Sequence, residues 1–168
     1  NQPCDYTSNI TGDQFEDMIT PDIPVIDFVT IDTMTNGVTL SWNQNGQADT
    51  YGYVIYTLNG SGIIVEIDTV WGLPNTTYTH FPNTDNESLT YSVAAFDSCF
   101  TVAVPPTYQT SAKAPIHTTV FVTPTLDICA REVNLNWTDY VGWGALDSYE
   151  IFGKWTGQPW ISFGTTTT

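Results

Sequence analysis

Acid–base or nucleophilic catalysis needs a group that changes protonation near neutral pH, set beside a nucleophile and an orienting acid. In this chain of 168 residues the two histidines are His80 and His117. His80 stands in YTHF between aromatic residues and His117 opens HTTVFV, so both fall in strand-like runs where an imidazole is a structural residue. Carboxylate pairs for glycoside hydrolysis must face each other across a cleft. Asp85 and Glu87 are instead neighbours in one loop, and Glu66 and Asp68 alternate along one strand, which puts both on one solvent face. The sequence contains no glycine-rich phosphate loop, nucleophile elbow or His-Glu-x-x-His helix. The expectation is a chain that is not an enzyme and has no organic cofactor.

Hard cations need several oxygen donors at one spot. Asp13, Glu16, Asp17 and Asp22 form the densest acid cluster and are the candidate Ca²⁺ ligands, although EF-hand spacing is missing and exposed linker acids account for them equally well. Zinc is not expected, because Cys4, Cys99 and Cys129 are far from one another and from both histidines. Trp71, Trp143, Trp155 and Trp160 exceed what the strand cores need. Aromatic faces stack on sugar rings, which makes glycans a candidate partner. The alternative is packing, with Trp155 and Trp160 covering the second half of the chain and Trp143 lying on the loop between the halves.

The charge balance narrows the partners further. Eighteen acids against three bases give −15, and Lys113, Arg131 and Lys154 are the bases. A surface this negative repels phosphate backbones and anionic lipid, so no nucleic acid is expected. No apolar run is long enough to span a bilayer, so direct membrane insertion is not expected either. Charged residues are only 12%, while Thr, Asn and Ser supply the polarity, a composition for strands and turns rather than helices.

The elements that would position these side chains are organised by an internal repeat. Val38, Leu40 and Trp42 alternate with polar residues, followed by Tyr53 and Ile55. Val133, Leu135 and Trp137 repeat the pattern 95 residues later, followed by Tyr149 and Ile151. That spacing predicts two domains of about a hundred residues each, the size of a small β-sandwich. Strands are expected over residues 25–32, 38–42, 51–58, 63–69, 76–81, 89–95 and 108–112. Asn36-Gly37 marks a tight turn and Asn59-Gly60-Ser61-Gly62 a hairpin. Lys113-Ala114-Pro115 marks the boundary. The reading is a lead-in over 1–20, a first domain over 21–113 and a second over 114–168. That second domain opens at 117–122 and continues through 155–163, with its last strands wanting. The opening Asn1 and the absence of a leader read as a processed or internal piece.

A buried Trp on one strand followed by a Tyr-x-Ile strand resembles the fibronectin type III module, and LTYSVAA, residues 89–95, resembles a later strand of that fold. Trp42, Tyr53, Tyr91, Trp137 and Tyr149 are then the structural core of an all-β chain of two tandem immunoglobulin-like sandwiches, the second truncated. AAFDSC, HTTVFV, DIC, VNLNWTDYVGW and SYEIF together resemble the paired type III region of gliding motility-associated surface proteins of Bacteroidota.

That resemblance implies an extracellular, cell-surface location and export by the type IX route. It also implies a role in adhesion or gliding, and partners among neighbouring domains of the polypeptide, outer-membrane components or secretion components. Alternatives are a spacer in a secreted polysaccharide-degrading enzyme, or a subunit or cargo of an extracellular fibre or secretion machine. Asp32-Thr33-Met34 and Asp68-Thr69-Val70 resemble the O-glycosylation sequon of such proteins, marking Thr33 and Thr69. In the type III strand order, Cys99 lies near the pole where the chain enters the sandwich. The expected disulfide is Cys4 with Cys99, leaving Cys129 unpaired.

Overall fold

The computed structural model describes residues 6–7, 14–15, 19–82, 87–100 and 107–167. Every regular element among them is a strand. A short antiparallel pair, β1 (Tyr6–Thr7) with β2 (Gln14–Phe15), precedes the first sandwich.

Alternation sets the next strands. β3 (Ile26–Ile31), β4 (Val38–Trp42) and β7 (Thr77–His80) make one sheet in the order β3-β4-β7. β5 (Thr50–Leu58), β6 (Ile64–Trp71), β8 (Thr90–Phe100), β9 (Tyr108–Thr110) and β10 (His117–Thr118) make the other, ordered β10-β8-β5-β6, with β9 also on β8. In β4 the residues Val38, Leu40 and Trp42 are buried in strict alternation, as the period-two pattern requires. They meet Tyr53, Ile55, Tyr91, Val93 and Ala95 from the facing sheet. The result is a β-sandwich of the immunoglobulin-like, fibronectin type III kind.

Turn chemistry fixes the registers. Asn36 takes φ 57, a left-handed conformation that asparagine tolerates, and the turn closes through Asp32 N–H to Gly37 O at 2.8 Å. The Asp32 carboxylate accepts Met34 N–H, and that backbone donor holds its pKa below the usual carboxylate value. At the hairpin, Asn59 Oδ1 accepts the N–H of Ser61 and of Ile63.

Three expectations need correction. The first sandwich does not end at residue 113. Ala114 N–H donates to Val93 O, His117 pairs with Tyr91, and Thr119 N–H donates to Leu89 O, so 114–119 belong to the first sandwich. Pro115 removes one donor, but at a sheet edge that donor is dispensable. Residues 155–160 are not strand either; a turn with Gly157 at φ 79 delays the final strand, β14 (Ile161–Thr167). The second unit is thus two hairpins, β11 (Val122–Asp127) with β12 (Glu132–Trp137), and β13 (Ser148–Gly153) with β14.

The third correction concerns the second core. Trp137 and Tyr149 do pair edge-on, at 5.9 Å, as Trp42 and Tyr53 do at 5.2 Å. Yet both are only partly buried, because among the described residues no further strand closes over the two hairpins. Trp42→Ala is therefore expected to cost about 3–5 kcal/mol, and Trp137→Ala about 1–2 kcal/mol, since the cost scales with burial. Urea unfolding of the two variants checks the difference; equal losses would contradict it.

Candidate functional site

Catalytic geometry is missing where the sequence offered candidates. His80 Nδ1 lies 2.9 Å from the Tyr91 hydroxyl at the sandwich edge, and His117 Nδ1 lies 2.8 Å from the Tyr140 hydroxyl. Burial lowers the pKa of both imidazoles, the effect on His117 being opposed by the Asp27 carboxylate. Burial likewise raises the Tyr91 hydroxyl, with Tyr78 adding to it. Glu66 and Asp68 do not share a face. A register shift between Ile55 and Tyr56 pairs Asp68 with Ile55 and Glu66 with Tyr56. Asp68 therefore turns toward the sandwich edge and accepts the Tyr78 hydroxyl. Burial, followed by Asp68, pushes that phenol to about 12.

The weak calcium candidates are mostly out of view. Asp13, Glu16 and Asp17 lie outside the described residues, and Asp22 is exposed with its N–H on Gln47 Oε1. Among the described residues no group of three or more His, Cys, Asp or Glu could hold a metal. Thr33 is exposed in the turn after β3, and Thr69 is partly buried on β6. Cys99 is buried at the end of β8, while Cys129 is an exposed free thiol. Cys4, the expected partner of Cys99, lies outside the described residues.

What the structure does assemble are two aromatic groupings. The first sits between the units. Loop 139–144 carries Tyr140 and Trp143, stacked at 4.3 Å and 30°. β3 is an edge strand, and its outward backbone groups need partners or water. Val29 N–H donates to the Tyr140 hydroxyl at 3.0 Å, and Trp143 Nε1 donates to Asp27 O at 2.7 Å. The Tyr140 hydroxyl thus accepts from Val29 and shares a second hydrogen bond with His117 Nδ1, whose direction follows the tautomer of the ring. A bridge between Thr118 and Val141 lies alongside. Gly142 at φ 129 is obligatory here, because a Cβ would come within 2.3 Å of the His117 ring.

The second grouping lies on the outer face of the five-stranded sheet. Tyr51, Trp71, Phe96 and Tyr108 are all in mutual contact, with centroid separations from 5.1 Å for Trp71–Phe96 to 6.1 Å for Tyr51–Phe96. Sequence reasoning singled out Trp71 and Trp143 as surplus aromatics, but missed Tyr51, Phe96, Tyr108 and Tyr140. The strand period carries the one available signal. Gly52 and Phe96 sit opposite each other, and a Cβ on Gly52 would fall 2.7 Å from the Phe96 ring. A glycine inside an aromatic strand, YGY, marks a close approach.

No protein-family model matches the chain, and no curated protein does. Among solved structures, an Fn3-like protein from Clostridium thermocellum is similar over 59% of this chain and 91% of its own, with 18% identity and a TM-score of 0.43.

The hydrogen-bond relay has a pH signature. Each histidine binds its proton less readily when folded than the unfolded value of 6.5, so the stabilisation is complete above about pH 6.5 and lost as pH falls from there through the folded pKa. Proton NMR titration should give both imidazoles midpoints below 6.5. A His117 midpoint at or above that value would mean that burial does not outweigh the Asp27 carboxylate at this ring.

Proposed function

We propose that this chain is a non-catalytic structural and adhesive module of a secreted cell-surface protein, a stiff tandem spacer that serves attachment or gliding. The observation that carries the reading is the clasp on β3. Tyr140 and Trp143 each place one hydrogen bond on the edge strand of the first sandwich, and residues 114–119 are themselves part of that sandwich. No free linker remains to act as a swivel, so the two halves turn together. A spacer needs that property; an enzyme does not. The sandwich core and the structural use of both histidines support the same reading.

Export through the type IX route from a Bacteroidota cell, with outer-membrane and neighbouring-domain partners, belongs to this proposal through the motif resemblance. So does the Cys4–Cys99 disulfide, which is a mark of an oxidising compartment. Its support is that Cys99 is buried at the end of β8 whereas Cys129 is a free exposed thiol. Residues 22–25 also lie at the pole where β8 ends. Asp22 N–H reaches Gln47, Thr50 N–H reaches Gln47 O, and Thr50 pairs with Asp97.

Two measurements test the proposal. Spin labels at Ser61 and Ala145, on a Cys129→Ser background, should give one narrow distance distribution. The pair Tyr140→Ala and Trp143→Ala should broaden it about twofold or more, by loss of the hydrogen bonds that fix the interface. A broad distribution in the parent would end the spacer reading. Separately, alkylation of the native chain should label Cys129 alone, and reduction should expose Cys4 and Cys99; three labels without reductant would remove the argument for export.

A further inference from the structure

The four-ring assembly on the outer sheet face is more than a stabilising set of cross-strand pairs. Phe96 is buried at 2% exposure and forms the floor, yet Trp71 at 50% and Tyr51 at 41% remain open to solvent. An indole used purely for packing is covered; this one stays half open to solvent. Beside it runs a trough of about 300 Å³ lined by Trp71, Phe96 and Tyr108. The trough crosses β6, β5, β8 and β9, and four strands span about 14 Å, the length of a short oligosaccharide.

Its rim is polar in a particular way. Glu66, Thr69, Thr107 and Thr110 line it, giving an acceptor-only carboxylate and three hydroxyls that can donate or accept. A ligand matching this surface has apolar C–H faces for the rings and hydroxyls for the rim. A peptide strand would dock on a sheet edge, where backbone groups are free, and the trough lies on a sheet face. Anionic ligands are disfavoured by a chain of net charge −15 with Glu66 on the rim. Of the bases, Lys113 stands over the Tyr56 ring, across the ladder from Glu66, and Lys154 over Trp160 on the other unit.

We infer that the trough binds a neutral pyranoside chain, with the Trp71 indole against the apolar face of one sugar ring and Glu66 and Thr69 receiving its hydroxyls. This rests on the adhesive half of the proposed function and names its ligand class. The spacer half stands or falls separately, on the spin-label distances.

The test is calorimetry and backbone amide NMR on the intact chain with cellohexaose, xylohexaose, mannohexaose and laminarihexaose, and with hexagalacturonate as the anionic counterpart. At least one neutral hexaose should bind saturably, shifting amides of β6 and β9, and hexagalacturonate should bind at least about tenfold more weakly. Trp71→Ala should weaken the neutral sugar about tenfold or more, and Trp160→Ala, on the other unit, less than about twofold. Glu66→Gln, an exposed change that keeps the side-chain shape, should weaken it about threefold or more, which guards against misfolding of the tryptophan variant. No saturable binding of any neutral hexaose, binding that survives Trp71→Ala and Glu66→Gln, or a preference for hexagalacturonate would each overturn the inference.

Discussion

A tyrosine hydroxyl that pins the loop behind a tryptophan is the constraint on which both halves of this chain depend. In the first sandwich the Trp42 indole meets the Tyr53 ring edge-on at 5.2 Å, joining one sheet to the other. The Tyr53 hydroxyl then accepts Asn45 N–H and donates to Leu73 O, so two loops at one pole are tied to the core. Among the described residues nothing accepts from buried Trp42 Nε1. The indole is held by packing against the facing sheet, and the polar ties to the loops run through the tyrosine. In the second unit Trp137 meets Tyr149 in the same way, and the Tyr149 hydroxyl accepts the N–H of Tyr140, again the third residue after the tryptophan. There the pinned residue has a side chain long enough to reach the neighbouring sandwich. A device that orders a loop within one domain thereby orders the joint between two.

The joint also disposes of an exposed edge. β3 ends one sheet, and unpaired strand edges invite further pairing with other chains. Tyr140 and Trp143 occupy one outward donor and one outward acceptor on that edge with side-chain groups, which cannot propagate a ladder. His117, packed under Gly142 and bonded to Tyr140, couples this edge to the last strand of the first sandwich. Protection of the edge and fixation of the joint are the same set of contacts.

Much of the first sandwich was legible because its signals are local. Period-two burial in β4, the Asn36 turn and the Asn59 hairpin each follow from residues within a few positions of one another. The boundary was misplaced because Lys113-Ala114-Pro115 has the composition of a linker, while the partners that hold 114–119 to the first sandwich, Val93, Tyr91 and Leu89, lie far back in the chain. The face of Asp68 was misjudged because a bulge breaks the alternation that sequence reading extends. Tyr140 and Trp143 were legible as a loop and as a packing tryptophan, but their acceptors and donors lie over a hundred residues away, and no local pattern encodes that. The four-ring shelf was half visible. Trp71 stood out as surplus, but Tyr51 fell inside an expected strand and Phe96 just past the end of another, and Gly52, which makes room between them, drew no notice.

The placement of the few cations completes the electrostatic logic. Lys113 stands over the Tyr56 ring at 4.4 Å and Lys154 over Trp160 at 4.7 Å, so two of the three bases are spent on ring faces rather than on neutralising carboxylates. The acids are left to dominate the field around the molecule. The same field filters ligands. An exposed indole is indifferent to the charge of what it stacks on, but an indole beside Glu66 on a chain of −15 is not. Discrimination between neutral and anionic chains is thus supplied by composition, and discrimination by shape is left to the four rings and the glycine between them.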